Sequence, residues 1–79
     1  MSPTVFREGG FRFYFFSREE SRMHVHVHGQ NGEAKFWLEP WIELAKNYGL
    51  SQKELGEALY LIEKYEYDIR TAWHEHFRS

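Results

Sequence analysis

The sequence predicts an α+β domain, in which an antiparallel sheet of four or five strands packs against one long C-terminal helix. Residues 4–38 contain short β-branched and aromatic runs separated by glycine-containing turns, a pattern typical of an antiparallel sheet. From Ser51 onwards the apolar residues return every three or four positions, as they do on a helix. A chain of 79 residues forms a single domain. We therefore expect residues 1–50 to be mainly sheet and residues 51–77 to be the helix.

The first two strands are predicted on either side of a pair of glycines. Residues 4–7 and 11–16 are rich in β-branched and aromatic side chains, and Glu8-Gly9-Gly10 separates them. Glycine adopts positive φ without the steric cost that a side chain carries. This arrangement indicates a β-hairpin.

A second hairpin is predicted around Gly29-Gln-Asn-Gly32. Before it, His24-Val-His-Val-His28 alternates strictly with period two, which is typical of a strand with one buried face. Residues 33–38 would form the fourth strand, since Asn-Gly is a dipeptide that tight hairpins favour. The period places Val25 and Val27 on the face that the helix covers.

The C-terminal helix is predicted to begin at a capping box made by Ser51 and Glu54. Tyr60, Tyr67 and His74 would point away from the apolar stripe. The stripe that would pack on the sheet consists of Leu55, Leu59, Ile62, Ile69 and Trp73.

Residues 41–50 are compatible with two structures. As a fifth strand, this segment would place Ile42 and Leu44 on one face. As a helix ending at Gly49, residues 44–55 would have the apolar spacing and turn glycine of a DNA-binding helix-turn-helix. The strand is the favoured interpretation.

Composition excludes several classes of protein. The absence of cysteine argues against a disulfide-stapled secreted scaffold and favours a reducing, cytoplasmic location. No run approaches the roughly 18 apolar residues of a membrane span, and the N-terminus lacks the form of a signal peptide. The net charge of -2 does not show the overall positive charge typical of a duplex-binding protein, although a local basic patch is compatible with it.

The aromatic content is high for a small domain. Because a core this small has limited room for 19% aromatic residues, some of them are expected in a pocket or a partner interface, for example that of a homodimer.

The alternating histidines His24, His26 and His28 are the main candidates for chemistry. On a strand, all three imidazoles project from one face at intervals of about 6.6 Å. Three interpretations remain open: an ordinary outward polar face, a catalytic or phosphate-binding cluster, and a metal site. We expect no cofactor and no tight metal site, because the outer two histidines on a flat strand are about 13 Å apart.

The cations of the sheet half suggest where an anionic ligand would bind. Arg22, two residues before His24, is best placed to meet a phosphate. Phe13, Phe15, Phe36 and Trp37 are candidates for a base-stacking surface, although core packing explains each of them too. The candidate binding residues are Arg12, His28, Lys35 and Trp37.

The histidines near the C-terminus do not form a zinc-protease motif. His74 and His76 are two positions apart, about 200° around a helix, whereas that motif needs a spacing of four. We interpret His76 as a histidine at the edge of the core with one satisfied nitrogen.

Several blocks of the sequence together resemble a known family. They are residues 3–17, His24-Val-His-Val, Gly32-Glu-Ala-Lys-Phe-Trp-Leu38 and Ala72-Trp-His-Glu-His-Phe77. In this order they are similar to the small bacterial domain-of-unknown-function family numbered four-one-six-zero. Members typically carry Glu-His-x-Pro-Pro-His-Val-His, where this chain reads Glu20-Ser-Arg-Met-His-Val-His26 and lacks both prolines and the first histidine. His24 and His26 fall on matching positions.

The resemblance implies a toxin-like component of a two-gene toxin-antitoxin module, regulated by a small partner protein. If the chain is an enzyme, it would be a metal-independent ribonuclease acting on RNA. In that case His24 and His26 would transfer protons and Arg22 would hold the phosphate, because histidines are the only groups in the sequence able to transfer protons near neutral pH and these two share a strand face beside Arg22. The alternative is a non-enzymatic module that binds a protein or a nucleic acid.

Overall fold

The computed structural model describes residues 4–16 and 22–77. In these residues the strands follow one another in the sheet in chain order, and every neighbouring pair is antiparallel. The elements are β1 Thr4–Glu8, β2 Phe11–Tyr14, β3 His24–His28, β4 Glu33–Trp37, β5 Glu43–Tyr48, α1 Gln52–Lys64 and α2 Glu66–Phe77. The predicted α+β class with its antiparallel sheet is confirmed. Arg18, one of the cations of the sheet half, lies outside the described residues.

The prediction of one long C-terminal helix is wrong. The helix is interrupted at Tyr65, whose φ of -108° and ψ of 23° are not helical. The Tyr65 hydroxyl donates a hydrogen bond to the Glu8 carboxylate, and its ring lies 4.8 Å from that of Phe6. Both partners belong to β1, so the interruption coincides with a contact to the far end of the chain. Tyr65 is neither proline nor glycine, so the local sequence contains no helix-breaking residue at this position. The periodicity of the apolar residues therefore does not indicate the interruption.

Residues 43–48 form the favoured fifth strand, and the helix-turn-helix is wrong. β5 pairs with β4 from Glu33↔Tyr48 to Trp37↔Glu43, with a register shift beside Phe36. The chain leaves β5 through a short loop that Asn47 closes with two hydrogen bonds to the backbone of Leu50, of 2.9 and 3.0 Å. Pairing with β4 satisfies backbone groups of this segment that a helix would otherwise pair internally.

The core lies between the sheet and the two helices. Val25 and Val27 are fully buried, as predicted, whereas Tyr60 and Tyr67 are exposed. The buried apolar side chains of the sheet include Phe11, Phe13, Phe15, Ala34, Phe36 and Leu38, and those of the helices are Ala58, Leu61, Ile62, Ile69 and Trp73.

Both predicted hairpins are present, with different turns. Gly9 and Gly10 have φ of 63° and 83°, the positive values that a two-residue hairpin turn requires. Neither Asn31 nor Gly32 has positive φ; instead Gly29 N donates to Gly32 O at 2.8 Å. The turn therefore does not require glycine at position 32 for its φ; glycine is needed there because a Cβ would collide with the Tyr48 carbonyl oxygen.

Arg70 joins α2 to the sheet. Its guanidinium donates to the backbone oxygen of Leu38 at 2.6 Å and to the Glu66 carboxylate at 2.8 Å. A charge-assisted hydrogen bond to a backbone carbonyl holds a helix at a defined position on a strand end. This contact fixes the end of α2 that carries Trp73.

The capping box at the start of α1 is confirmed and makes stability depend on pH. Ser51 N donates to Glu54 Oε1 at 2.8 Å, and Asn31 Nδ2 donates to Glu54 Oε2 at 2.9 Å. These two hydrogen bonds, chiefly the one from Ser51, lower the pKa of Glu54 below its usual 4.5. Because the pKa of Glu54 is lower in the folded than in the unfolded state, its ionised carboxylate stabilises the fold fully above the unfolded pKa. This stabilisation is lost as the pH falls through the folded pKa.

We expect Glu54→Gln to flatten the dependence of unfolding free energy on pH in the acid range, because Gln does not titrate. Urea unfolding at several pH values between about 3 and 7 measures this. Glu57→Gln, at an exposed position on the same helix, serves as control and should retain the wild-type dependence. Identical curves for the two variants would contradict the role of Glu54.

Candidate nucleic-acid interface

The side chains that project from the sheet on the side opposite Val25 and Val27 form what we call the outer face. Because strand residues alternate between faces, side chains at paired positions on neighbouring strands lie side by side. The register gives three rows: Arg12, His28, Glu33 and Tyr48; Tyr14, His26, Lys35 and Lys46; and His24, Trp37 and Glu43.

His24 lies at the end of the outer face and is fully buried. Its ring contacts those of Trp73 and Trp37, at centroid distances of 5.1 and 5.6 Å. Its Nδ1 is 2.7 Å from the Arg22 carbonyl oxygen, which can only accept, so Nδ1 carries the proton. The prediction that all three histidines lie on an open outward face is therefore wrong for His24, because its ring is buried against Trp37 and against Trp73 of α2.

His26 is half-buried, whereas His28 is exposed. The His26 ring stacks on Tyr14, with centroids 5.4 Å apart and planes 24° apart. Phe16 meets the same ring edge-on at 4.4 Å. Of the two predicted proton-transfer groups, His26 is thus the one that a ligand on the outer face can reach.

Two cations lie close to the rings of Trp37. The Arg22 guanidinium carbon is 4.1 Å from the centre of a Trp37 ring, and Lys35 Nζ is 4.4 Å from it. Arg22 Nε also donates to the Glu39 backbone oxygen at 2.8 Å, which fixes its position. A cation over an aromatic face is an attractive arrangement. Three of the predicted site residues, Arg22, Lys35 and Trp37, are therefore brought together.

Arg12 and His28 are paired in the first of the three rows of the outer face. The Arg12 guanidinium carbon is 4.5 Å from the centre of the Tyr14 ring, and its Nε donates to Thr4 Oγ1 at 2.7 Å. All four candidate binding residues thus project from one face of the sheet.

Three of the four aromatic residues predicted for stacking are not available, and of these four only Trp37 lies on the outer face. Phe13, Phe15 and Phe36 are at most 2% exposed and belong to the core. Phe16 and Tyr48 are 42% and 64% exposed beside the outer face. Tyr48 and Lys46 were missed because residues 41–50 had no settled secondary structure, and strand alternation on β5 is the signal that would have found them.

A cavity of about 260 Å³ lies on the outer face, over the middle strands. The Tyr14 hydroxyl donates to Glu33 Oε1 across it at 3.1 Å. Its walls are formed by Tyr14, Phe16, His26, Glu33, Ala34, Lys35, Lys46 and Tyr48. It therefore combines exposed aromatic rings, two ammonium groups, an imidazole and one carboxylate.

The cations of the described outer face outnumber its carboxylates. Arg12, Arg22, Lys35 and Lys46 lie on or beside the described part of this face together with Glu33 and Glu43. A chain of net charge -2 thus carries a local basic patch.

The remaining histidines, His74 and His76, lie on α2. His76 Nε2 is 3.3 Å from the Phe16 carbonyl oxygen, in agreement with its interpretation as a boundary histidine, and His74 is exposed. Within residues 4–16 and 22–77, no three His, Asp or Glu side chains are grouped as metal ligands. The expected absence of a tight metal site stays a prediction.

Comparison with known proteins identifies a family. The model of a domain of unknown function, DUF4160, matches residues 10–74, which extend from β2 into α2. No curated protein and no solved structure matches the chain. In the part of the chain that the structure describes, neither helix has the length and apolar character needed to cross a membrane.

Proposed function

This chain belongs to the DUF4160 family, and from that premise we propose that it binds single-stranded RNA through the outer face of its sheet, as the toxin-like component of a two-gene module. The observation that carries the proposal is the proximity of Arg22 and Lys35 to Trp37, beside the cavity that contains Lys46 and Tyr48. A small partner protein, acidic where it covers this basic face, would regulate the binding.

Single-stranded RNA suits this combination of groups. Unpaired bases stack on aromatic side chains, and the phosphates between them are attracted to arginine and lysine. A sheet offers both on one surface, because neighbouring strands are only about 4.8 Å apart. Double-stranded nucleic acid would not expose its bases to such a face.

Binding is favoured over the predicted two-histidine cleavage of RNA. General acid-base catalysis needs each proton-transferring group within hydrogen-bond reach of the substrate. His24 is fully buried and its Nδ1 proton is held by the Arg22 carbonyl, so we do not propose it as a catalytic residue. His26 and Arg22 remain in place to contact RNA.

We expect Lys46→Glu to weaken binding of a labelled single-stranded RNA about tenfold at 0.1 M salt, because it replaces an attraction to phosphate by a repulsion. Fluorescence anisotropy measures the affinity, and its dependence on salt should be shallower in the variant. Lys53→Glu makes the same change of charge at an exposed position on α1 and should bind nearly as the wild type does.

Two further readouts separate this proposal from its alternatives. Expression of the chain alone should arrest growth, and Lys46→Glu should relieve the arrest more than Lys53→Glu. Growth arrest without measurable RNA binding would contradict the RNA target and favour a protein-interaction module. Cleavage of the RNA that His26→Ala abolishes would make the chain a ribonuclease that uses a single accessible histidine.

A further inference from the structure

The cavity of the outer face holds a carboxylate among groups that otherwise favour an anion. Glu33 is exposed, and it lies opposite His28 on β3 and Tyr48 on β5. Its Oε1 accepts the hydrogen bond of Tyr14, which fixes the orientation of the carboxylate. An ionised carboxylate offers about four acceptor positions and no donor. Glu33 can therefore accept further hydrogen bonds from ligand groups that carry N–H or O–H, and it cannot donate one to a ligand acceptor.

We propose that this cavity selects guanine, an inference that rests on the proposed binding of RNA. The Watson–Crick edge of guanine carries two adjacent donors, N1–H and the N2 amino group, which match the two oxygens of a carboxylate. Adenine and cytosine place a ring-nitrogen acceptor beside their amino group, and uracil places carbonyl oxygens on both sides of its N3–H. Those acceptors would face the negative charge of Glu33, so each of these bases leaves polar groups badly paired.

The other walls of the cavity fit a base and its phosphate. Phe16 and Tyr48 are the exposed rings available for stacking. Lys35 and Lys46 lie side by side on β4 and β5, at the distance of neighbouring strands, where they can meet the phosphate of the same nucleotide. At about 260 Å³ the cavity is slightly smaller than the roughly 300–1,000 Å³ of typical ligand sites, which suits one base rather than a larger group.

The experiment compares RNA oligomers that differ at one position. Four otherwise uridine-only octamers carry guanosine, adenosine, cytidine or uridine at the fourth position, and a fifth carries inosine, which lacks the N2 amino group. We expect the guanosine oligomer to bind about tenfold more tightly than the adenosine oligomer, with inosine in between. Glu33→Gln should bring the ratio of the guanosine and adenosine affinities close to one, since an amide has one acceptor and keeps the hydrogen bond from Tyr14.

The ratio of affinities, and not the affinity itself, is the readout, because removing a carboxylate strengthens binding of every RNA. Glu43→Gln removes the same charge outside the cavity and should keep the guanine preference. Equal binding of all five oligomers would overturn the guanine pocket and leave the RNA-binding function standing. A preference for another base, or a guanine preference that survives Glu33→Gln, would also overturn it. Failure of every oligomer to bind would overturn the RNA-binding function itself.

Discussion

Gly32→Ala should destabilise the fold by about 3 kcal/mol or more, which is a large part of the stability of a small domain. A Cβ atom at position 32 would collide with the Tyr48 carbonyl oxygen and lie 2.8 and 2.9 Å from backbone carbons of Gly49. These neighbours are main-chain atoms at the end of β5, so no side chain can rotate away to make room. Urea unfolding followed by tryptophan fluorescence measures the loss as a lower midpoint.

Gly56→Ala is the matched control for this prediction. Position 56 is inside α1, where a Cβ would meet nothing within 4 Å. Alanine is preferred to glycine in a helix interior, so the variant should be more stable by about 0.5–1 kcal/mol. If Gly32→Ala had the same urea midpoint as the wild type, position 32 would not lie against the backbone of Tyr48 and Gly49.

His24→Ala should cost about 3 kcal/mol of unfolding free energy, as expected when a large ring is removed from a packed interior. The substitution opens a cavity against Trp37 and Trp73. It also leaves the Arg22 carbonyl oxygen without the proton that Nδ1 donates.

Thermal and urea unfolding compare this variant with His28→Ala on the same strand. His28 is exposed, so its replacement should change the unfolding free energy by less than about 0.5 kcal/mol. Equal stability of the two variants would mean that His24 is not enclosed by the tryptophans. If His24→Ala is destabilised as expected, its loss of growth arrest in cells would report unfolding, whereas His26→Ala tests contact with RNA.

Most of the sheet could be predicted from the sequence because its signals are local. The glycine pair Gly9-Gly10 and the alternation of His24–His28 each depend on residues within a few positions, and both hairpins form where these signals indicate. Alternation also placed Arg12, His28, Lys35 and Trp37 together, since side chains on one strand face need only the correct period.

The parts that could not be predicted depend on contacts between distant residues. Period two placed the ring of His24 on the outer side of the sheet, but the position of Trp73 relative to β3 decides that it is buried. The interruption of the helix coincides with the contact between Tyr65 and Glu8, which are 57 positions apart. The residues next to Tyr65 and Glu8 in the sequence do not indicate that the two side chains contact each other.

The contacts of α2 have a consequence for how the protein forms during synthesis. Trp73 and Ile69 are core residues. The Arg70 guanidinium donates to the Leu38 backbone oxygen, and His76 Nε2 lies near the Phe16 backbone oxygen. The ribosome releases the whole sheet and α1 before it releases α2, so the buried side of the sheet emerges without part of its cover. Burial of His24 against Trp73 must wait for α2. The nascent chain therefore exposes core aromatics until residues 66–77 are free.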